Sequence, residues 1–158
     1  MRTTPVTPSA SVLAASAQAY AQKGWLVSET SNGISLVTDN NVCGIEVDET
    51  VADQVSVYLR ANKLTGPVIE LPGAERRIVF LATGVSKASR ALDALREFGA
   101  TIHAEGASLP LPPTKMIAGC ARWVVAPEEC SWVPPVVAIS AALRAVRVQP
   151  GKLARVAS

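Results

Sequence analysis

The chain has a single histidine and only seven aromatic residues among its 158. One histidine, with no obvious Ser or Cys partner, argues against a hydrolase triad. Scarce aromatics leave the interior to Val, Ala and Leu. The three cysteines, Cys43, Cys120 and Cys130, are odd in number and widely spaced, with no CxxC pair or Cys/His cluster. That pattern argues against zinc and reads as ordinary reduced thiols. Neither the P-loop nor the dinucleotide-binding glycine fingerprint occurs. No apolar run approaches the length of a bilayer span, so no membrane partner is expected. Ser, Gln and Tyr interrupt the opening MRTTPVTPSASVLAASAQAYAQ, where a signal peptide would need a compact apolar stretch. The expectation is a cytoplasmic protein with a disordered leader over residues 1–10.

What is present fits one domain with a real core over residues 11–148, since hydrophobic residues make up 49% and charged residues 18%. The net charge of +2 hides an asymmetry. Arg144, Arg147, Lys152 and Arg155 fall in the last 15 residues with no acid among them, leaving 11 basic and 13 acidic residues elsewhere. Residues 149–158 read as a short basic tail. A basic tail can touch nucleic acid, lipid or an acidic protein, and reads equally as a solvated helix end.

Periodicity predicts an opening helix from Ser11 to Lys23, with Leu13, Ala17 and Tyr20 on one face and Gly24 as its stop. Short strands are expected at Trp25–Val27 and Ile34–Val37 around a Ser31-Asn32-Gly33 turn. Val42–Asp48 reads as a strand, and a capping-box-like Thr50-Val51-Ala52-Asp53 opens a helix that runs to Asn62. Val68–Leu71 and Arg77–Leu81 form a hairpin by pattern. Ser86–Phe98 is an amphipathic helix, with Ala88, Ala91, Leu92, Leu95 and Phe98 as its buried stripe. Strands follow at Thr101–His103, Ala107–Leu111 and Arg122–Val125, and a last helix begins near Pro134-Pro135. Four helices among about seven short strands, several joined by tight turns, give an α+β or mixed α/β fold with a largely antiparallel sheet.

The sharpest chemical feature is Gly44-Ile45-Glu46-Val47-Asp48-Glu49. In a strand, alternate side chains share a face, so Glu46 and Asp48 project together while Ile45 and Val47 face the core. Two adjacent carboxylates repel, and are best tolerated at a wet strand end or beside a divalent metal. Glu46 and Asp48 are therefore candidate catalytic and metal-binding residues. They read also as a polar strand edge, with Asp48 or Thr50 capping the next helix. Arg76 and Arg77 are strand neighbours and point to opposite faces. His103 reads as a packed or surface histidine, and Trp25, Trp123 and Trp132 as core or groove-wall residues. Trp132, in a loop-like context, also offers a stacking surface.

Four ordered segments resemble the bifunctional primase–polymerase domain of the archaeo-eukaryotic primase superfamily, in its short actinobacterial form. Ala17-Gln18-Ala19-Tyr20-Ala21-Gln22-Lys23-Gly24-Trp25-Leu26-Val27 is similar to that family's opening helix and strand. Ile45-Glu46-Val47-Asp48 resembles its acidic metal motif. Gly73-Ala74-Glu75-Arg76-Arg77-Ile78-Val79-Phe80 is similar to its Gly-Gly-Arg-His hairpin strand. Ala107-Ser108-Leu109-Pro110-Leu111-Pro112-Pro113-Thr114 resembles its Pro-Pro-Ser segment, and Arg122-Trp123 follows in place. The likeness spans roughly residues 12–145. It implies a primase–polymerase-like sheet, Mg²⁺ or Mn²⁺ on Glu46 and Asp48, nucleotide phosphates on Arg77, Thr114 and Lys115, and DNA or RNA as partner, with Arg144, Arg147, Lys152 and Arg155 as candidate nucleic-acid contacts. Two departures stand out. Arg77 replaces the family's nucleotide-binding His, and Thr101 stands where a further metal-binding Asp is expected, with Glu105 the nearest acid. Polymerisation needs about three carboxylates to hold two metals. The expectation is a reduced relative with weak or lost nucleotidyltransferase activity in replication or repair, or a non-catalytic nucleic-acid-binding or protein-interaction module on the same fold.

Overall fold

Ser9 opens the first helix: its hydroxyl accepts from the Val12 N–H at 3.3 Å, satisfying one of the free donors of the first turn. The computed structural model describes residues 8–30, 33–39, 41–130 and 132–157, with 147–157 as backbone only. The expected leader therefore lies outside the described residues over 1–7, as do Ser31 and Asn32 of the expected turn.

Helix α1 (Ala10–Gln22) buries Leu13, Ala17 and Tyr20 and ends before Gly24, whose φ of +85° suits a residue without a Cβ. Strands β1 (Val27–Glu29), β2 (Ile34–Val37) and β3 (Cys43–Asp48) lead into α2 (Glu49–Ala61). The hairpin β4 (Val68–Leu71) and β5 (Arg77–Ala82) follows. A 3₁₀ turn over Val85–Lys87 precedes α3 (Ser89–Glu97), so the expected helix from Ser86 is broken at Ala88. Next come β6 (Thr101–His103), β7 (Ser108–Leu111), β8 (Lys115–Met116), β9 (Gly119–Cys120), β10 (Arg122–Val125) and α4 (Val136–Ala157). The backbone of α4 runs on through residues 149–157.

The fold is α+β with antiparallel sheets. The larger sheet has the order β10-β4-β5-β3-β6, a smaller one has β1-β2-β7, and β8 pairs with β9. One face of the larger sheet carries Cys43, Ile45, Val47, Ile78 and Phe80 against α2, α3 and α4. Its other face carries Ile69, Leu71, Val79 and Leu81 against α1 and the smaller sheet, through residues such as Tyr20, Leu36, Leu109 and Leu111. The sheet is therefore covered on both sides, and a polar side chain on either face needs a partner. No helix among the described residues is long and apolar enough to cross a membrane.

Gly44 shows how closely the second layer approaches. A Cβ there would lie 2.8 Å from Val79 Cγ1 and 3.0 Å from Leu109 Cδ2, so a side chain would push the two sheets apart.

Candidate functional site

Strand register brings the expected residues to one face of the larger sheet. Asp48 is paired with Arg77 on β5, Glu46 with Val79 on β5 and Thr101 on β6, and Gly44 with His103 on β6. Residues paired across a ladder share a face, so Glu46, Asp48, Arg77, Thr101 and His103 all point to the same side.

Glu46 is the hub. Its Oε1 lies 2.8 Å from His103 Nε2 and 3.6 Å from Arg77 Nη1, and the side chain is only 14% exposed. Spacing left Arg76 and Arg77 on opposite faces, and the resemblance to the primase–polymerase hairpin strand implied that Arg77 is the arginine of this face. It assigned His103 no role here, because no pattern along the chain reveals a partner 57 residues away. Thr101, where the resemblance led to the expectation of a further metal-binding Asp, is exposed and directly opposite Glu46.

Asp48 has a different task. It is the N-cap of α2, and its Oδ1 accepts from the Val51 N–H at 3.0 Å and the Thr50 hydroxyl at 2.8 Å. The Val51 N–H, then the Thr50 hydroxyl, hold this carboxyl below its ordinary value. Of the two readings open for the acidic pair, the cap is thus realised at Asp48, and Thr50 supports it.

Arg76 turns to the helix side of the sheet. Its guanidinium lies 2.8 Å from Glu49 and 2.6 Å from Glu70, and Arg122 reaches the other oxygen of Glu70 at 2.8 Å. Glu70 is a lone acid in the apolar strand Val68-Ile69-Glu70-Leu71, which was a legible sign that a cation must meet it.

Among the described residues, no three or more His, Cys, Asp or Glu side chains are placed to hold a metal ion. The donor chemistry agrees. Glu46 Oε1 already faces an imidazole and a guanidinium, so a divalent cation at that oxygen would lie against the charge of Arg77. Asp48 Oδ1 is taken by the helix cap. The expected Mg²⁺ or Mn²⁺ does not fit this set.

No family model, curated protein or solved structure matches the chain.

The other expected contacts are dispersed. The Thr114 hydroxyl donates to the Ile34 carbonyl at 2.7 Å and accepts from the Ile34 N–H at 2.8 Å, and its side chain fills the space beside Gly33. Its one proton is used to fasten the segment after Pro113 to β2, which leaves none for a phosphate. Lys115 is exposed on β8. Arg144 is exposed on α4, in the helical layer on the far side of the larger sheet from Glu46. The side chains of Arg147, Lys152 and Arg155 lie outside the described residues.

Trp25 and Trp123 pack with Tyr20, with ring centroids 5.7 to 6.3 Å apart. Trp123 Nε1 donates to Tyr20 Oη at 3.0 Å, and Tyr20 Oη donates to the Pro112 carbonyl at 2.6 Å. Trp25 is buried in the core and Trp123 packs half-buried against it, its indole N–H satisfied by Tyr20.

Proposed function

We propose that this chain is a primase–polymerase-like domain that has given up metal-dependent nucleotidyl transfer and acts in the cytoplasm as a nucleic-acid-binding module. The ordered motifs and the antiparallel sheet are in keeping with that reading, as is Arg77 beside the acidic strand. One observation carries the loss of catalysis: Glu46 Oε1 is occupied by His103 and Arg77, with Thr101 where a third carboxylate would stand. An ion-paired carboxylate with no acidic neighbour free to join it positions protein, not metal.

Charge supplies the binding term. Arg144 is exposed, and the α4 backbone runs on to Ala157. At 3.6 residues per turn, positions 144, 147, 152 and 155 fall within roughly 140° of arc. A cluster of basic residues with no acid among them attracts a phosphate backbone and releases its counterions.

The test pairs an extension assay with a binding assay on the purified chain. Primed template, nucleoside triphosphates and Mn²⁺ are expected to give no incorporation. Labelled DNA is expected to bind, with an affinity that falls steeply as salt rises from about 50 to about 200 mM. Glu46→Gln should leave that affinity unchanged. Incorporation abolished by Glu46→Gln would restore the enzyme reading. Failure to bind nucleic acid would remove the module reading.

A further inference from the structure

Trp132 stands in the segment that leads into α4, with 43% of its surface exposed. That segment is pinned to the end of the sheet. The Thr83 N–H donates to the Pro134 carbonyl at 2.9 Å, and the Val136 N–H donates to the Thr83 carbonyl at 2.9 Å. Gly66 lies directly under Pro134, and a Cβ on it would collide with the proline ring. The backbone two residues past the indole is thus tied to the sheet, and much of the indole's apolar surface is in solvent.

Two adjoining depressions open beside it, of about 240 and 510 Å³, sharing Lys23, Trp25 and Val133 as walls. Trp132 and Pro67 border the first, and Gly24, Asn41 and Gly84 border the second. Gly24 and Gly84 have φ of +85° and +81°, and a Cβ on either would meet nothing within 4 Å, so their backbone is open to a ligand. Volumes of this order hold small ligands or the units of a chain.

The groove is separate from the Glu46 cluster. Val42, Thr83 and Gly84 flank the end of the sheet where Cys43 pairs with Ala82, whereas Asp48 pairs with Arg77 at the opposite end. Its cation is Lys23, whose ammonium lies 3.8 Å from Glu128 Oε1. An exposed pair at that distance contributes little, so the ammonium can turn to a phosphate at small loss.

We infer that this groove binds single-stranded nucleic acid, with one base stacked on Trp132 and a backbone phosphate on Lys23. The inference rests on the nucleic-acid reading above and adds to it a site and a strand type. Every base has a π-face, so an exposed indole accepts any of them, and a neighbouring cation sets the backbone alongside. A proline-rich peptide would also pack on indole, but it has no use for the lysine.

The experiment is fluorescence anisotropy of a short labelled oligothymidylate with the purified chain. Trp132→Ala should weaken binding by about tenfold to a hundredfold, whereas Trp132→Tyr, which keeps a stacking face, should retain most of it. Lys23→Ala should make the slope of log affinity against log salt shallower by about 0.7, the share of one phosphate contact on a single strand. Glu46→Gln should bind as the wild type does. If the oligonucleotide binds and Trp132→Ala binds equally well, the groove assignment falls while the nucleic-acid reading stands. If the wild type binds labelled DNA but no oligothymidylate, the groove assignment falls while the nucleic-acid reading stands, and if it binds neither, both fall. If a proline-rich peptide displaces the oligonucleotide and its own binding is insensitive to Lys23→Ala, the groove is a peptide site and the inference is overturned.

Discussion

His103 reaches Glu46 along a diagonal of the β3–β6 ladder. The residue paired with Glu46 is Thr101 and the residue paired with His103 is Gly44, yet His103 Nε2 and Glu46 Oε1 are 2.8 Å apart. With no side chain at Gly44 to fill the position opposite, the imidazole leans one step along the strand and meets the carboxylate.

Removing that contact should be felt in stability. His103→Ala leaves a mostly buried carboxylate with Arg77 alone, and should cost about 1–3 kcal/mol in urea unfolding. Most of the loss should vanish when Glu46 is already Leu, which has no atom to bond the imidazole, because the interaction is then gone from both arms of the cycle. An equal loss in both backgrounds would show that the pair contributes nothing.

Asp48 should behave as a helix cap. Asp48→Ala is expected to cost about 1 kcal/mol, and Asp48→Asn only a few tenths, since Asn caps nearly as well. Because the folded-state pKa is depressed, the charge-dependent part of this contribution is present above the unfolded value and lost as pH falls through the folded value. Urea midpoints taken downward through the carboxylate range should therefore drop more for wild type than for Asp48→Asn. Parallel pH profiles would contradict the cap.

The Glu70 carboxylate, 12% exposed, is shared by Arg76 and Arg122. Either Arg→Ala variant alone should cost about 1 kcal/mol, since the other guanidinium remains. The double variant should cost distinctly more than the sum, because it strands a buried charge. Additive losses, read from denaturant midpoints, would mean that Glu70 finds water instead.

Cys43 is fully buried in β3, and burial pushes its thiol up to about 12. With almost no thiolate at neutral pH, it should resist iodoacetamide in the folded protein and react once the chain is unfolded. Peptide mass spectrometry after native labelling reads this directly, and prompt modification of Cys43 would show that the strand opens.

The elements that the chain announced most clearly are those fixed by nearest neighbours. Leu13, Ala17 and Tyr20 repeat at helical spacing, and they are buried on α1. Val68–Leu71 and Arg77–Ala82 form the hairpin that Pro72-Gly73 suggested. Three features were not legible. The β8–β9 hairpin has two residues in each strand, too few to establish an alternation. The break at Ala88, with φ −127°, interrupts a helical pattern that shows no proline or glycine there. The division of strands between two sheets depends on partners far along the chain, as when β2 pairs with β7.

The same division runs through the candidate site. Alternation along extended chain determined that Glu46 and Asp48 of β3 share a face and that the neighbours Arg76 and Arg77, where β5 begins, do not, because side-chain direction is a local property of extended backbone. Only the tertiary structure decided what those side chains meet. Asp48 turned to the first amides of α2, Arg76 to Glu49 and Glu70, and Glu46 to His103. These choices depend on strand order and register, which the packing of two apolar layers sets across the whole chain.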